Sequence, residues 1–393
     1  MTEDFYRIRR LPPYVFAEVN AMKAAARARG EDVIDLGMGN PDTPPPPHVL
    51  DKLAEVSRKP DAHGYSASKG IAGLRRAQAA YYARRFGVDL DPDTQVVVTL
   101  GSKEGLANLA QAITAPGDVV LAPNPSYPIH TFGFIIAGAT IRSIAAAPGP
   151  DFFVRLHNAM KYTVPRPTVL VMGYPSNPTA QVVDLAFYAE VVAFARANGL
   201  WVISDLAYAE IYFGDEPTPS ILQVPGAEDV AIEFTSMSKT YSMAGWRIGF
   251  AVGNRQLIEA LTRVKSYLDY GAFTPIQAAA VAALNGPQDI IATNRALYKA
   301  RRDALVDSFG RAGWPIPVPQ ASMFAWVPIP EAFRELGSLE FSKRLLTQAK
   351  VAVAPGTGFG EEGEGFVRIA LVENEQRLRQ AARNVKAFLA ANV

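Results

Sequence analysis

The chain has 393 residues, 49% of them hydrophobic and 20% charged, which is long enough for one large domain and a smaller companion. Lys plus Arg total 39 and Asp plus Glu total 38, and this balance argues against a nucleic-acid or membrane partner and favours a small molecule. The lack of cysteine excludes disulfides, thiolate nucleophiles and cysteine metal sites, and only 4 histidines leave little room for a metal centre.

The N-terminal sequence MTEDFYRIRRLPPYVF does not have the pattern of a signal peptide. Acidic residues come early, and no uninterrupted apolar stretch precedes a small-residue cleavage site. No apolar run in the chain reaches the length of a membrane span. We therefore expect a cytoplasmic protein.

Two features mark the N-terminal part of the chain. Residues 17–29 have an amphipathic pattern that predicts a helix, and the turn sequence GMGNPD follows at 37–42. The prolines at 44–47 predict a stiff, extended connector. We place a domain boundary at this connector.

From residue 95 onward, short apolar runs alternate with helical patterns. The predicted strands are, in chain order, QVVVTL, DVVLAP, TVLVMG, LWVISD, VAIEFT and RIGFAVG. Helices are predicted to begin at Ser102 and Leu185, and Gly199 is a helix-stop signal. This alternation predicts an α/β fold with a mostly parallel sheet covered by helices.

The C-terminal part has a different pattern. It is helical from residue 255 to about 311, and then strands (MFAWVPI, VAVAP and FVRIALV) mix with helices, the last of which is predicted from Asn374. A long helix near 291–310 would return the chain to the side of the N-terminal segment. We therefore predict a large domain of residues 48–290 and a small domain built from residues 1–47 and 291–393.

The most specific stretch is SMSKTYSMAGWRIG at residues 236–249. A lysine that forms a Schiff base reacts as the neutral amine, so Lys239 would need small neighbours and reduced hydration. Ser236 and Arg247 could hold a phosphate beside it. Taken alone, the stretch could also be a solvated loop after a strand.

Polar side chains follow two further predicted strands. Asp205 ends LWVISD, at the carboxyl end of a strand, where open α/β sheets place their ligands. A carboxylate there could keep a pyridine nitrogen protonated, and the alternative is a helix N-cap. Tyr208 and Asn177 could hydrogen-bond a ring oxygen, although a core tyrosine and an ordinary turn would use the same residues.

A candidate anion site lies at 101–104, where GSKE joins a strand to a helix. The free backbone N–H groups near Ser102 and Lys103 would face an anion, although an ordinary capped helix has the same pattern. Tyr127 follows the next strand and could stack on a flat ring or pack in the core.

Arg368 lies in the apolar strand FVRIA, on the opposite face from its two immediate neighbours. An arginine so placed is costly to bury unless it meets an anion, and a substrate carboxylate is the natural bidentate partner. A structural salt bridge is the alternative. The glycine-rich sequence GTGFG at 356–360 lacks the helix that a nucleotide-binding loop requires.

In this order, these residues resemble the class I and II aminotransferases of the pyridoxal-phosphate fold type I superfamily, over essentially the whole chain. The resemblance implies a large domain with a mostly parallel seven-stranded sheet flanked by helices, and a smaller α+β domain. It implies pyridoxal 5′-phosphate as the cofactor and Lys239, Asp205 and Tyr208 as catalytic residues. The implied cofactor-binding residues are Ser102, Lys103, Tyr127, Asn177, Asp205, Tyr208, Ser236, Lys239, Arg247 and Tyr65.

The same resemblance implies further roles in substrate binding and assembly. Arg368 would clamp the substrate's α-carboxylate, with Gly39 and Asn177 beside it. Tyr65, in HGYSASKG, would reach the cofactor phosphate of the neighbouring subunit, which makes the protein a homodimer with shared active sites. Neither Tyr267 nor Tyr270 can be assigned to a neighbouring site from the sequence.

More narrowly, RLPPYVF, MGNPD, GSKEGL, PNPSYPIH, YPSNPTAQ and YGAFTPIQ resemble bacterial glutamate–pyruvate (alanine) aminotransferases. This implies a ping-pong exchange that converts L-alanine and 2-oxoglutarate to pyruvate and L-glutamate. Aspartate and LL-diaminopimelate aminotransferases are similar alternatives, and we identify no second arginine for a side-chain carboxylate.

Three other classes of protein are alternatives to an aminotransferase. A lyase or decarboxylase on the same fold would share every cofactor residue. A cofactor-binding regulator is disfavoured because there is no DNA-binding domain or basic arm, and a nicotinamide-dependent dehydrogenase because no strand leads into G-x-G-x-x-G. We expect no metal, no nucleic acid and no membrane partner.

Overall fold

The computed structural model describes residues 5–392. Its strands are β1 (Ile34–Asp35), β2 (Val96–Thr99), β3 (Val119–Asn124), β4 (Thr140–Ala145), β5 (Val169–Met172), β6 (Trp201–Asp205), β7 (Ala231–Ser236), β8 (Gly249–Gly253), β9 (Phe324–Pro328), β10 (Val351–Ala352), β11 (Ala354–Pro355) and β12 (Phe366–Ala370). Its α-helices are α1 (Tyr6–Arg9), α2 (Val15–Ala28), α3 (Pro47–Ser57), α4 (Ala72–Phe86), α5 (Ser102–Ile113), α6 (Pro128–Ala137), α7 (Pro150–Tyr162), α8 (Leu185–Asn198), α9 (Met237–Thr240), α10 (Arg255–Leu268), α11 (Thr274–Asn285), α12 (Asp289–Arg311), α13 (Gly337–Arg344) and α14 (Glu375–Asn392).

A seven-stranded sheet forms the centre of the molecule, in the order β2-β8-β7-β6-β5-β3-β4. Its neighbours pair in parallel except for β8, which is antiparallel to both β2 and β7. The runs VVVT in β2 and VLVM in β5 are buried throughout, as expected for strands covered on both faces. The fold predicted from the sequence is therefore confirmed.

Helix ends follow the local chemistry of the sequence. Asp184 caps α8 by accepting a hydrogen bond from the Phe187 backbone N–H at 2.8 Å. The helix stops at Gly199, whose φ of +66° is the left-handed conformation that glycine adopts without a steric penalty. The predicted helix from Leu185 and its stop at Gly199 are both confirmed.

A second structural region combines both chain ends. Strand β1 pairs in parallel with β10, while β11, β12 and β9 form a three-stranded antiparallel sheet. Helices α12 and α14 pack against these sheets over a buried core that includes Phe309, Trp314 and Phe341. The pairing of β1 with β10 is consistent with a small domain formed from both ends of the chain, and the division at 48 and 290 stays a prediction.

The topology brings loops from several strands to one edge of the central sheet. Strands β2, β3, β5, β6 and β7 run in the same direction, so their carboxyl ends lie together. Asp205 and Ser236 are the last residues of β6 and β7, and Ser102 begins the helix after β2. This edge is where doubly wound sheets bind ligands.

Within residues 5–392, no helix is both long and apolar enough to cross a membrane. In the same residues, no group of three or more His, Cys, Asp or Glu side chains could hold a metal ion.

Candidate active site

A cavity of about 560 Å³ lies at the carboxyl edge of the central sheet, against the region formed by the chain ends. The predicted site residues that line it are Gly39, Ser102, Lys103, Tyr127, Asn177, Asp205, Tyr208, Ser236, Lys239, Arg247 and Arg368. These residues come from distant parts of the sequence, so the fold brings them together.

Lys239 lies in the short helix α9, directly after the central strand β7. Ser236 caps this helix through its hydroxyl, which accepts from the Ser238 backbone N–H at 3.1 Å. The Lys239 amine donates to the Gly39 carbonyl at 2.6 Å. Burial, together with the nearby charges of Arg368 and Arg247, lowers the pKa of Lys239 from 10.5 to about 8. Roughly a tenth of the amine is therefore neutral at pH 7, the form in which a nucleophilic lysine reacts.

Asp205 is a buried carboxylate held by two partners. The His130 ring nitrogen Nε2 lies 2.8 Å from Asp205 Oδ2, and the Ala207 backbone N–H donates to Asp205 Oδ1 at 3.2 Å. Gly173 leaves room for this arrangement, since a Cβ there would come within 3.0 Å of the His130 ring. These contacts fix the orientation of the carboxylate rather than leaving it a simple helix cap.

Two aromatic side chains and an amide line the same cavity as Lys239 and Arg368. Burial raises the pKa of Tyr208, so its hydroxyl stays protonated and can donate a hydrogen bond. Burial likewise raises the pKa of Tyr127, whose ring packs edge-on against His130 with 5.9 Å between ring centroids. Asn177 Oδ1 accepts from Arg368. The amide nitrogen of Asn177 remains a donor for a ligand.

A candidate anion site lies at the start of α5, at one end of the cavity. The N–H groups in the first turn of this helix have no intrahelical acceptor and carry the positive end of the helix dipole. The guanidinium of Arg247 lies beside this turn and donates to the Leu100 carbonyl at 3.4 Å and to the Ala244 carbonyl at 2.8 Å. Gly101 has φ +82°, and a Cβ there would lie 2.1 Å from that guanidinium, so glycine is required.

Ser102 was expected to bind the cofactor phosphate, but its hydroxyl hydrogen-bonds to the protein instead. It donates to the Thr235 carbonyl at 2.9 Å, which ties α5 to β7. In this arrangement its backbone N–H, at the start of the helix, is the group that would face an anion. Lys103 is exposed, and its ammonium lies 5.8 Å from the centroid of the Tyr127 ring.

Arg368 projects from β12 and is 7% exposed. Its NH1 donates to Asn177 Oδ1 and its NH2 to the Gly37 carbonyl, both at 2.9 Å. The guanidinium carbon lies 3.9 Å from the centroid of the Phe324 ring and 4.7 Å from that of Phe359. Burial lowers the pKa of Arg368 to about 10.

The burial and the contacts of the Arg368 guanidinium favour the binding of an anion. Its Nε is buried and has no hydrogen-bond partner among residues 5–392. In the part of the chain that the structure describes, Arg368 forms no ion pair with a carboxylate, so the alternative of a structural salt bridge is not what is observed. A buried, uncompensated charge of this kind favours an anionic ligand.

Tyr65 lies apart from the cavity in the single chain. Its side chain is 88% exposed, and its ring contacts Tyr270 with 4.6 Å between centroids. Tyr267 and Tyr270 are 86% and 64% exposed. Tyr65 and Tyr270 therefore form an exposed aromatic pair, and the contact of Tyr65 with a second subunit stays a prediction.

Sequence reasoning missed several residues that shape the site. His130 lies in α6, three residues after Tyr127 in PSYPIH, and histidine is rare in this chain, which was an available signal. Phe324 and Phe359 enclose Arg368, and Tyr14 and Phe16 also line the cavity. The carbonyls of Gly37 and Gly39 are backbone atoms, for which a side-chain pattern gives no signal.

The family model for aminotransferase class I and II matches residues 31–385. The chain belongs to this family. It is 66% identical to the protein AatC of Rhizobium meliloti, over 99% of this chain and 96% of that protein. It is 53% identical to the glutamate–pyruvate aminotransferase AlaC of Escherichia coli, over 99% of this chain and 94% of that protein. Relatives at lower identity include the LL-diaminopimelate aminotransferase of Moorella thermoacetica, at 43%.

Among solved structures, the apo form of BacF from Bacillus subtilis superposes with a TM-score of 0.92 at 35% identity, covering 100% of this chain and 99% of that one. Enzymes of this family generally depend on pyridoxal phosphate and exchange amino groups between amino acids and 2-oxo acids. The chain is therefore a pyridoxal-phosphate-dependent transaminase of fold type I, as predicted from its sequence.

Proposed function

We propose that the protein transfers the amino group of L-alanine to 2-oxoglutarate, giving pyruvate and L-glutamate by a ping-pong mechanism. One observation carries the chemistry: Lys239, an amine of lowered pKa, shares one cavity with Arg368, a buried guanidinium that has no carboxylate partner within residues 5–392. These groups match the amino and carboxylate ends of an α-amino acid. The likeness to the enzyme named glutamate–pyruvate aminotransferase supports the choice of substrates.

The groups around the cavity fit pyridoxal 5′-phosphate. Lys239 would bind its aldehyde carbon, Asp205 would hold its ring nitrogen protonated, and Tyr127 would pack on the ring. The start of α5 at Ser102, together with Ser236 and Arg247, would bind its phosphate. The cofactor supplies the aldehyde that receives the amino group and an electron-withdrawing ring that stabilises negative charge at the substrate's Cα.

The protein's own side chains then position the substrate and move protons. Arg368 would clamp the α-carboxylate with two parallel hydrogen bonds, and its contact with Asn177 would keep it in that orientation. The amine of Lys239, when not bound to the cofactor, would act as the base that accepts the proton from the substrate's Cα. Tyr208 and Asn177 would donate hydrogen bonds to the cofactor's phenolic oxygen.

We further propose that the active protein is a homodimer with two shared sites. The support is the exposed aromatic surface of Tyr65, Tyr267 and Tyr270, which a second subunit would cover. In that arrangement Tyr65 would reach the phosphate of the cofactor held by the partner.

The test is a set of initial rates with purified holoenzyme and 2-oxoglutarate as acceptor. L-alanine should give the highest kcat/KM, above L-aspartate and LL-diaminopimelate. A higher value for either competitor would replace alanine as the substrate while leaving the transaminase chemistry in place. Pyruvate and ammonia formed from L-serine, whose β-hydroxyl can leave, without an oxo-acid acceptor would indicate a lyase instead.

A further inference from the structure

Two backbone carbonyls of the turn at residues 37–39 accept hydrogen bonds from the two cationic side chains of the site, Arg368 and Lys239. The Gly37 carbonyl accepts from Arg368 NH2 at 2.9 Å, and the Gly39 carbonyl accepts from the Lys239 amine at 2.6 Å. The backbone between β1 and α3 therefore contributes directly to the placement of the carboxylate clamp.

Leu36 is the last residue of this segment to be held by strand-like hydrogen bonds. Its N–H donates to the Ala352 carbonyl at 2.9 Å, and its carbonyl accepts from the Ala370 N–H at 2.7 Å. At Gly37 the N–H turns away and donates to the Asp35 side chain, at 3.1 Å from Oδ1. The carboxylate of Asp35 thus sets the orientation of the residue whose carbonyl holds Arg368.

Asp35 is itself held by a nearly buried ion pair. Its Oδ2 lies 2.6 Å from the Lys23 ammonium on α2, and the two side chains are 14% and 10% exposed. Arg27 reaches the same oxygen at 3.4 Å from the more exposed side. Lys23 and Asp35 both belong to the wall of the cavity.

A nearly buried ion pair contributes little to the net stability of a fold. Removing two charges from water costs several kcal/mol, and apolar residues of similar volume often replace such pairs without loss. What apolar residues could not supply is an acceptor of fixed orientation for the Gly37 N–H. The contacts therefore connect Lys23 to Asp35, Asp35 to Gly37, and Gly37 to Arg368.

We propose that Asp35, oriented by Lys23, is a positioning residue that holds Arg368 ready for the substrate carboxylate. The proposal rests on the function assigned to Arg368 above. It predicts a defect in the recognition of carboxylates that leaves binding and reactivity of the cofactor intact.

Two double variants isolate the acceptor at position 35. Lys23→Met/Asp35→Leu removes the charges and the acceptor, whereas Lys23→Met/Asp35→Asn removes the charges but keeps a side-chain oxygen. Neither leaves Lys23 as an unpaired buried charge. Glu31→Gln is a matched control, because Glu31 pairs with Lys350 at 2.6 Å close to β1 and β10 without contacting Gly37.

Two probes that react with the lysine-bound cofactor separate carboxylate recognition from other effects. Aminooxyacetate carries a carboxylate, and O-methylhydroxylamine does not, while both have the same reactive aminooxy group. The rates are followed by the loss of the cofactor's absorption band. Steady-state kcat and KM for the amino acid are measured in parallel.

The leucine variant should react with aminooxyacetate roughly 10-fold more slowly than the wild type and show a KM raised by a similar factor, the effect of losing one hydrogen bond to a charged group. Its rate with O-methylhydroxylamine and its kcat should stay within about threefold. The asparagine variant should lie within about threefold of wild type for both probes, and Glu31→Gln should match wild type.

Three outcomes would overturn the proposal: equal slowing with both probes, no slowing with aminooxyacetate, or equal losses in the leucine and asparagine variants. These results are separate from a failure of the proposed substrates, since the probes do not depend on which amino acid the enzyme prefers. If Arg368→Lys leaves the aminooxyacetate rate unchanged, the assigned role of Arg368 and this inference both fail.

Discussion

Replacing Lys239 by methionine should make the cofactor-free protein more stable at neutral pH. Burial lowers the pKa of Lys239 from 10.5 to about 8, so at pH 7 the folded protein contains an ammonium in an environment that disfavours it. Since a tenfold change in proton affinity corresponds to about 1.4 kcal/mol, the cost to the folded state is about 3 kcal/mol. Methionine keeps the unbranched stem and removes the charge.

The substitution also removes a favourable contact. The hydrogen bond from the Lys239 amine to the Gly39 carbonyl, 2.6 Å long, is lost, which costs about 1 kcal/mol. The net gain in the free energy of unfolding at pH 7 is therefore about 2 kcal/mol.

The gain should disappear as the pH rises. The folded-state pKa of Lys239 lies below its unfolded value, so between about pH 8 and 10.5 the unfolded chain binds more protons than the folded one. The free energy of unfolding of the wild type consequently increases with pH through this window. The Lys239→Met variant does not have this increase. At pH 10 the two proteins should differ by less than about 1 kcal/mol.

The assay is denaturant unfolding of both proteins without cofactor, at pH 7 and pH 10 and at one protein concentration, because association also contributes to stability. Lys52→Met is the control, since Lys52 is a surface residue with a side chain 39% exposed, and it should change stability by less than about 0.5 kcal/mol. A Lys239→Met protein no more stable than wild type at pH 7, or a gain that persists at pH 10, would refute the reasoning.

Three further predictions test other parts of the site. Arg368→Lys should raise KM for both amino and oxo acid by about 10- to 100-fold, because an ammonium cannot replace the bidentate fork, and an unchanged KM in steady-state assays would contradict this. His130→Leu should weaken cofactor binding by about 10-fold by freeing Asp205, measured by equilibrium titration of the apoprotein, and an unaltered dissociation constant would show that His130 is dispensable. Mixing inactive Tyr65→Ala and Lys239→Ala subunits should restore roughly one quarter of wild-type activity, since half of the dimers would have one complete site, and no recovery would argue against sharing across the interface.

Much of the central sheet could be predicted because its strands are continuous apolar runs. The strand β4, Thr140–Ala145, was missed because its sequence TIRSIA mixes polar and apolar residues. The run VAVAP was predicted as one strand, yet it divides between two sheets. Val351 and Ala352 pair with β1, whereas Ala354 and Pro355 pair with β12. Partners this distant in sequence leave no local pattern that would indicate the division.

Site residues could be predicted where their role depends only on the residue type and on a position directly after a strand. Lys239, Asp205 and Arg368 were found in this way, and the structure places all three around one cavity. The contact of His130 with Asp205 depends on how α6 packs against β6, which the local sequence does not specify. The hydrogen bond from Arg368 to the Gly37 carbonyl could not be predicted either, because a backbone atom leaves no signal in the side-chain pattern.

The most direct test of the account is to identify the residue that carries the cofactor. Holoenzyme would be reduced with borohydride, which makes the link between lysine and cofactor permanent, and then digested and analysed by mass spectrometry. The account predicts the added mass of the pyridoxyl phosphate group on Lys239, and its loss from that peptide when L-alanine is added before reduction. Attachment at another lysine, or no attachment at all, would contradict the assignment of Lys239.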